Sequence, residues 1–521
     1  MGKVGWRILL AALLGLASEA GTITVAGTAD LQGAMEPSEQ RFDLNGDGKK
    51  ETATLGGISR IAALYRQIRK ENPGALIVSS GDDLMGRYFH TFKGKAVFRL
   101  LSEAGVEYYA LGNHEFDQGP DVLAGALKEA KFTVLCSDLE VAGTPLEGLC
   151  LPWVLREIGG VKVGIFSLMT EGLPRMSDAG KVRLRADNVT VAREMVKLLR
   201  RKGAQVVILL SHIGYKKDVA VAKQVKGIDL IFGGHSHGFP RRLGHIGSTV
   251  IANGGELGPV VTRVDLPLDG RGRPQAREAT LRYLPVRQSI APVEEVEREL
   301  KGYEKRFPPV VVLGRSDRPW DLSEKALRRG ESEVADMIDD LLRRKFGVEI
   351  VLNNSGAFRG REIYPAGEVT DKRLREIDAF RNAALIFRLK GKYLKPVLEH
   401  SAAEYGKGGW LQVSGLRYRV DLSRPVQKLE GEKIVRPGGR VSGIEVLIDG
   451  TWHPVEPERE YTILANAFLV ERAGDGYFWF RKYGKNPDNT YTTFYSVMAE
   501  ELSRSGRLNP PKADGRIEVT R

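Results

Sequence analysis

The sequence predicts a layered α/β fold that is divided into two domains. The chain has 521 residues, and a single hydrophobic core rarely grows beyond roughly 250–300 residues. From Gly21 to about Ser289, short apolar runs alternate with helical patterns, as they do where helices cover the faces of a sheet. A helical pattern followed by two prolines separates this region from the remainder.

The composition is that of a soluble globular protein, with 42% hydrophobic and 28% charged residues. The formal net charge of +12 favours anionic ligands. No run of five basic residues occurs, so the charge alone does not distinguish a nucleic acid from a small phosphate ester.

Residues 1–20 have the pattern of a signal peptide. Lys3 and Arg7 precede an apolar segment from Ile8 to Ala17, and Ser18 and Ala20 have the spacing that a signal peptidase reads. The alternative is a membrane anchor, but a span needs roughly 20 apolar residues and this segment is shorter. We therefore expect a periplasmic or secreted protein that has no stable membrane anchor.

The chain contains two cysteines, Cys136 and Cys150. In an oxidising compartment they can close a short loop and stabilise the fold by about 3 kcal/mol. They can equally remain two buried thiols, and their spacing does not decide between these alternatives.

Five strand-like runs in the first region are each followed at once by polar residues. The runs are TITVAG (22–27), ALIVSSG (75–81), EYYALG (107–112), QVVILLS (205–211) and IDLIFGG (228–234). The polar residues include Asp30, Asp82, Asn113, His212 and His235. Functional side chains collect where strands end in layered α/β folds, so these segments are expected to form one site.

Residues 291–309 are interpreted as a linker between the domains. Val293, Val296, Leu300 and Tyr303 have helical spacing, and the prolines at 308 and 309 end the pattern. Residues 310–521 are predicted to form the second α/β domain, with helical patterns near 323–345 and 390–404. Strand-like runs there include EIVLNNS and YTILANAF.

The stretch DLNGDGKKE, which begins at Asp43, is similar to the start of a calcium loop. Asp43, Asn45, Asp47 and Gly48 are in register, but Thr54 stands where a glutamate would complete the ligands. An Asn/Asp/Gly turn is the favoured interpretation, and calcium is the alternative.

Histidines in the polar segments indicate a metal site with nitrogen and oxygen ligands. They are His114, His212, His235 and His237, and no cysteine lies among them. This donor set suits zinc, manganese or iron. Two metal ions about 3.5 to 4 Å apart need a bridging ligand, and the Asp82 carboxylate is the candidate.

Taken in order, the segments D-x-Q, GD, GNHE, SHIG and GGHSH resemble those of the calcineurin-like metallophosphoesterases. The segments NNSGAFR, LQVSGLRYRVD and AFLVERAGDGY resemble the C-terminal domain of the 5'-nucleotidases. The resemblance implies an α/β/β/α sandwich over residues 21–290 that carries the catalytic site. It also implies a substrate-binding domain over residues 310–521.

The resemblance further implies two divalent metal ions, which would be Mn, Zn, Co or Mg. The first would be held by Asp30, Asp82 and His237, with Gln32 where the family usually has histidine. The second would be held by Asp82, Asn113, His212 and His235. Gln32 either offers an amide oxygen to the first metal or bonds only to nearby backbone. His114 would act beside the metals, with Asp117 as its partner.

In the second domain the resemblance implies a nucleotide pocket. Phe380 and Phe468 would hold the base, although both can also be ordinary core aromatics. Asn354 and Arg359 would bind the substrate, Asp475 would bind the ribose hydroxyls, and a further basic contact would come from Arg328 or Arg329.

The expected function is hydrolysis of nucleoside 5'-monophosphates by an exported, dinuclear-metal phosphoesterase. The expected partner is thus a nucleotide or another small phosphate ester, not a nucleic-acid polymer. Alternatives on the same scaffold are a 2',3'-cyclic nucleotide phosphodiesterase, a UDP-sugar hydrolase, a more distant sulfur-ester hydrolase and a non-catalytic nucleotide-binding relative.

Overall fold

The computed structural model describes residues 21–360 and 363–520. The predicted signal peptide lies outside these residues. Within them, every helix is too short or too polar to cross a bilayer.

The strands and helices alternate along much of the chain. The strands of the first half are β1 (Thr22–Thr28), β2 (Pro37–Phe42), β3 (Glu51–Gly56), β4 (Leu76–Ser79), β5 (Tyr108–Ala110), β6 (Thr133–Leu135), β7 (Leu139–Glu140), β8 (Val154–Ile158), β9 (Val161–Met169), β10 (Arg183–Leu184), β11 (Val206–His212), β12 (Leu230–Gly233), β13 (Gly244–Ile246), β14 (Thr249–Asn253), β15 (Val260–Pro267) and β16 (Thr280–Pro285). Those of the second half are β17 (Val312–Ser316), β18 (Trp320–Asp321), β19 (Ile350–Asn354), β20 (Ile363–Tyr364), β21 (Gly367–Thr370), β22 (Ala384–Lys390), β23 (Leu411–Ser414), β24 (Leu416–Asp421), β25 (Lys428–Glu430), β26 (Lys433–Arg436), β27 (Val441–Ile448), β28 (Thr451–Pro454), β29 (Glu460–Asn466), β30 (Lys485–Asn489) and β31 (Ile517–Thr520).

The α-helices are α1 (Ile58–Glu71), α2 (Gly86–Phe92), α3 (Lys95–Ala104), α4 (Pro120–Leu127), α5 (Leu173–Met176), α6 (Asn188–Arg201), α7 (Tyr215–Gln224), α8 (Glu294–Glu304), α9 (Glu324–Arg328), α10 (Glu333–Phe346), α11 (Asp371–Ile377), α12 (Leu394–Ala403), α13 (Ala467–Glu471), α14 (Phe478–Tyr483) and α15 (Phe494–Ser505).

Two six-stranded mixed sheets form the centre of the N-terminal half. Their strand orders are β16-β15-β1-β4-β5-β6 and β13-β14-β12-β11-β9-β8. Their facing sides bury one apolar layer that includes Val25, Val78, Ile208 and Phe232. Since both faces of each sheet are covered, the inner strands are continuously hydrophobic, as their sequences indicated.

Helices cover the outer faces of both sheets. Aromatic and aliphatic residues of α1, α3 and α4 pack on the first sheet, including Tyr65 and Phe98. Residues of α6 and α7, including Val191 and Val221, pack on the second sheet. The predicted α/β/β/α sandwich is therefore confirmed.

The strands that precede the polar segments run parallel within each sheet. β1, β4 and β5 are parallel neighbours, and so are β9, β11 and β12. Because parallel strands end at the same edge of a sheet, their following loops meet there. The topology thus brings five separate sequence segments to one place.

The helix predicted in the linker begins at Glu294 and ends at Glu304. Val296 and Leu300 are buried with residues of α1 and α3, so α8 is packed into the N-terminal half. The extended segment that begins at Pro308 follows it, and β17 begins the second half at Val312.

The second half contains a five-stranded sheet with the order β23-β19-β29-β22-β30 and a four-stranded sheet with the order β28-β27-β24-β31. Helix α10 packs on one face of the larger sheet, with Ile338 and Leu342 fully buried. On the other side, α12 contributes Leu394 and Leu398 to a second core. The second half is therefore also an α/β structure, as predicted.

Two open questions from the sequence concern local structure. Cys136 and Cys150 form a disulfide bond.

The DLNGDGKKE stretch joins β2 to β3 in a hairpin, in which the carboxylates of Asp43 and Asp47 accept hydrogen bonds from the backbone N–H groups of Gly48 and Lys49. The bond between Asp47 and Lys49 spans two residues, as in an Asx turn.

Candidate active site

One cavity of about 1150 Å³ lies between the loops at the strand ends and the C-terminal half. Its N-terminal wall includes Asp82, Asn113, His114, Asp117, His235 and His237. Its C-terminal wall includes Arg328, Asn354, Arg359, Phe380, Phe468 and Asp475. The two groups of residues that were predicted from distant sequence segments therefore face the same space.

Asp82 lies at the centre of the N-terminal wall. One of its carboxylate oxygens, Oδ2, is 2.9 Å from His212 Nε2, and Asp82, His212 and His235 have ligand atoms that all lie within 4.8 Å of one another. The other oxygen, Oδ1, accepts a 2.7 Å hydrogen bond from the backbone N–H of His114. This position between several loops suits a bridging ligand.

The buried polar atoms of this cluster fit a metal centre. Among the described residues, Asn113 Oδ1 is buried without a hydrogen-bond partner. Asp30 Oδ1 and His212 Nε2 are buried beside His237 and Asp82, but neither contact has the geometry of a hydrogen bond. Such atoms are costly to bury unless another group satisfies them. A Cβ atom at Gly112 would lie 2.2 Å from Asp82 Oδ1, so glycine keeps this space open. Carboxylate, amide and imidazole donors together suit a divalent cation of the zinc or manganese type.

The residues predicted for the first metal also lie together. Asp30 Oδ1 is 3.3 Å from His237 Nε2, and the Gln32 amide nitrogen is 3.1 Å from the same ring atom. Position 32 therefore faces His237, not only the nearby backbone. Rotation of the amide by 180° would bring its oxygen to this point, since the two ends of an amide have nearly the same shape.

Glu256 is a residue of this site that the sequence reasoning missed. Its carboxylate is 3.2 Å from His237 Nδ1, which leaves His237 Nε2 directed to Asp30. A carboxylate on the second ring nitrogen is a common way to orient a metal-binding histidine. Glu256 lies in the bend between β14 and β15, and the sequence around it contains no motif that indicated a functional residue.

Glu115 was also missed, although it is part of the GNHE segment. Its buried carboxylate accepts hydrogen bonds from the backbone N–H groups of Asp82, Asp83, Leu84 and Gly112 at 2.6 to 3.1 Å. Tyr109 adds a fifth donor at 3.0 Å. Glu115 thus ties the loop after β4 to the loop after β5, and the glutamate in GNHE was the available signal.

Several residues of the loops that carry the predicted metal ligands have a left-handed backbone. They are Asp30 (φ 51°), Gln32 (φ 49°), Asp82 (φ 56°), His235 (φ 69°) and His237 (φ 53°). This conformation is uncommon for residues other than glycine, and it clusters at functional sites where surrounding structure enforces it.

His114 projects into the cavity beside the metal-ligand cluster. Its Nδ1 is 2.7 Å from Asp117 Oδ2, and the other Asp117 oxygen accepts a 2.8 Å hydrogen bond from Ser177. Burial alone would lower the pKa of His114, but the carboxylates of Asp117 and Asp82 raise it above its usual value. The imidazole is therefore held through Nδ1, and its Nε2 lies 3.9 Å from Asp82 Oδ2, on the side of the predicted metal ligands.

The two predicted aromatic residues are only partly buried, and Phe468 also packs against the second core of the C-terminal half. Phe380 is stacked on the His114 ring with a centroid distance of 5.7 Å, and the Arg359 guanidinium lies 4.7 Å from the Phe380 centroid. Phe468 lies against Gly474, where a Cβ atom would come within 2.3 Å of the ring. Both rings line the cavity.

Asp475 is fixed at the C-terminal wall by two contacts. Its carboxylate accepts a 2.8 Å hydrogen bond from the Asn354 amide, and its backbone carbonyl lies 2.7 Å from His400 Nε2. Burial, with a contribution from nearby Glu404, raises the pKa of Asp475 to about 6.

The structure separates the two arginines that the sequence left as alternatives. Arg328 lines the cavity, whereas Arg329 is exposed and does not line it. The two side chains differ because neighbouring residues at the end of α9 point in different directions. Arg328 is therefore the better placed of the two to contact a substrate in the cavity.

The comparisons with known proteins agree with this geometry. Residues 23–239 match the calcineurin-like phosphoesterase family, and residues 312–482 match the C-terminal domain of 5'-nucleotidases. The crystal structure of a 5'-nucleotidase precursor from Thermus thermophilus is 28% identical and superposes with a TM-score of 0.84, covering 96% of this chain and 99% of that one.

Relatives with curated descriptions span the same two regions. The snake venom 5'-nucleotidase of Gloydius brevicauda is 27% identical over 97% of this chain and 90% of its own length. The trifunctional nucleotide phosphoesterase YfkN of Bacillus subtilis (strain 168) is 27% identical over 92% of this chain, which spans only 35% of YfkN. The chain therefore belongs to the calcineurin-like phosphoesterases that carry a 5'-nucleotidase C-terminal domain, and it is a metal-dependent phosphoric ester hydrolase.

Proposed function

We propose that the protein hydrolyses nucleoside 5'-monophosphates to a nucleoside and phosphate, with two divalent metal ions as cofactors. The observation that carries this proposal is the shared cavity, in which a metal-ligand cluster faces two aromatic rings and a fixed carboxylate. A metal centre alone recognises only the phosphate group of a substrate. Aromatic rings that can stack on a base, and a carboxylate that can accept hydrogen bonds from hydroxyl groups, suit a nucleoside.

The arrangement of donors supports the metal-binding roles that we propose. We assign Asp30, Gln32, Asp82 and His237 to one ion, and Asp82, Asn113, His212 and His235 to the other. Bound ions would activate a water molecule and offset the charge of the phosphoryl group. Glu115 and Glu256 keep these ligands in place through the contacts described above.

The protein's own residues supply the remaining chemistry. His114, held by Asp117, can donate a proton to the leaving oxygen or a hydrogen bond to a phosphoryl oxygen. Arg359 and Arg328 add positive charge on the opposite wall, where the fork of a guanidinium can bind phosphate oxygens. Phe380 and Phe468 are assigned to the base, and Asp475, held by Asn354, to the ribose hydroxyls.

A substrate panel tests the proposal. Purified protein would be assayed with Mn²⁺, Co²⁺ and Zn²⁺ on AMP, 2',3'-cyclic AMP, UDP-glucose and a small aryl phosphate. We expect the highest kcat/KM for AMP. A preference for either of the other nucleotides would instead assign that activity, and nucleotide binding without hydrolysis under every metal would indicate a non-catalytic relative.

We further propose that the protein is exported to the periplasm or secreted. The disulfide between Cys136 and Cys150 and the signal-like residues 1–20 support export. Fractionation of cells that express the full chain, followed by mass determination of the mature N-terminus, tests this. A cytoplasmic protein that retains residues 1–20 would contradict it.

A further inference from the structure

A chain of buried polar side chains runs from the interior of the C-terminal half to the cavity wall. Asp339, Asn353, Asn466 and Asn354 are each at most 4% exposed. The Asn353 amide donates to Asp339 Oδ1 at 2.8 Å, and the Asn354 amide donates to Asp475 Oδ2 at 2.8 Å. Asn466 lies between these two contacts.

Asn466 sets the orientation of both neighbouring amides. Its Nδ2 donates to Asn353 Oδ1 at 3.1 Å and to Asn354 Oδ1 at 2.9 Å. An asparagine amide can rotate by 180° and exchange donor for acceptor. Because Asn466 Nδ2 donates to the Asn354 oxygen, the Asn354 nitrogen must face Asp475 and the cavity.

The same residue also fixes the helix that carries Phe468. Asn466 is the N-cap of α13, and its Oδ1 accepts a 3.2 Å hydrogen bond from the backbone N–H of Leu469. Such a cap fixes the start of a helix. Asn466 thus bonds to Asn354 directly and reaches Asp475 through Asn354. It also caps the helix whose second residue is Phe468, so it helps to fix three residues of the cavity wall.

We infer that Asn466 is a positioning residue for substrate recognition, which holds Asn354 as a hydrogen-bond donor and α13 at the cavity wall. This inference rests on the proposed nucleotide specificity. It predicts a ligand with two features at this wall: an acceptor, such as a ring nitrogen or ribose oxygen, for the second Asn354 N–H, and hydroxyl donors for Asp475. The small aryl phosphate has neither feature.

The variant Asn466→Asp separates the two roles of the side chain. Aspartate retains the oxygen that caps α13 and the backbone N–H that donates to Asn353 Oδ1 at 3.1 Å, but its side chain cannot donate to Asn353 or Asn354. If Asn354 rotated to donate to the new carboxylate, its oxygen would face the Asp475 carboxylate, and the two acceptors would repel each other. Asn466→Ser is a second variant, since serine also caps the helix but has only one donor for two oxygens.

The experiment compares these variants with wild type and with Asn509→Asp, all as full chains. Asn509 is an exposed asparagine of the same half whose side chain contacts Asp317 away from the cavity. For Asn466→Asp we expect the KM for AMP to rise at least about tenfold, as when a buried polar group loses its partner. The ratio of kcat/KM for AMP to that for the aryl phosphate should fall to a similar extent. Asn466→Ser should show a smaller fall, and Asn509→Asp none.

Adenosine binding, measured by calorimetry, gives a readout independent of turnover. We expect the dissociation constant to rise at least about tenfold in Asn466→Asp. Unchanged KM and adenosine affinity in Asn466→Asp, or equal losses on AMP and the aryl phosphate, would overturn the inference. The proposed function would still stand if the wild type hydrolysed AMP. A wild type that neither hydrolyses AMP nor binds adenosine would overturn both.

Discussion

At the scale of single residues, His114 and Asp82 differ in how they are attached to the site. His114 contributes its backbone N–H to the Asp82 carboxylate, and this bond survives replacement of the side chain. We expect His114→Ala to retain metal and to lose roughly 100-fold or more in kcat, because a proton donor or hydrogen-bond donor is removed. Elemental analysis and steady-state kinetics on phosphate release check both expectations.

Asp82→Ala is the contrasting variant. Its carboxylate contacts the loop after β5 and the last residue of β11, so its loss should empty both proposed metal sites. A metal-free His114→Ala protein alongside a fully loaded Asp82→Ala protein would contradict the assigned roles.

Gln32 is the second residue whose contacts allow a sharp prediction. Its amide lies 3.1 Å from His237 Nε2, so a histidine at position 32 would reach the same place. Imidazole is a better ligand for zinc than a neutral amide oxygen, which comparatively favours manganese or magnesium. Gln32→His should therefore bind zinc more tightly at the first site and depend less on added metal. Titration calorimetry with unchanged affinity and stoichiometry would refute this.

At the scale of elements, the two aromatic residues are held differently. Phe468 is the second residue of the short helix α13 and packs on Gly474, whereas Phe380 lies in the loop after α11 and is stacked on His114. Phe468→Ala should cost on the order of 1 to 3 kcal/mol of transition-state stabilisation for AMP, the usual scale of base stacking, and leave an aryl phosphate nearly unchanged. Phe380→Ala should impair both substrates, because the His114 ring loses its support.

Kinetics of both variants on AMP and the aryl phosphate test this difference. Equal effects of Phe468→Ala on the two substrates would indicate a packing role. A selective effect of Phe380→Ala on AMP would mean that the stacking on His114 has no catalytic consequence.

The elements themselves were largely predictable from the sequence, and the contacts between them were not. The runs that precede Asp30, Asp82 and His212 are strands because they are rich in β-branched and aliphatic residues and end at polar or glycine-containing segments. Glu256 and Asn466 gave no such signal, because their importance comes from partners that are close only after folding. The choice between Arg328 and Arg329 also needed the structure, since it depends on the direction of each side chain.

At the scale of the whole molecule, the cavity belongs to both halves of the chain. His90 of α2 contacts the carbonyl of Ala379, and Arg472 is 3.3 Å from Asp178. The first contact lies beside Phe380 and the second lies near Asp475. Helix α8, in the region interpreted as a linker, packs with α1 and α3 and so belongs to the core of the N-terminal half.

The net charge of +12 gives a prediction for the molecule as a whole. Positive potential raises the rate of encounter with an anionic substrate, and salt screens it over about 10 Å at 0.1 M. We expect kcat/KM for AMP to fall several-fold between about 20 and 200 mM KCl, with kcat little changed. Thermal unfolding curves at both salt concentrations serve as the control. A constant kcat/KM would mean that long-range charge does not assist binding.

The left-handed backbone of the loops that carry the predicted metal ligands affects how the stability of the fold can change in evolution. Each such residue costs of the order of 1 to 3 kcal/mol, and glycine, which has no Cβ, would remove most of that cost. At Asp30, Asp82, His235 and His237, however, glycine would also remove a side chain that we propose as a metal ligand. Selection for heat resistance alone would therefore favour glycine at these positions, although glycine would abolish catalysis. Only selection for activity can maintain the present side chains there.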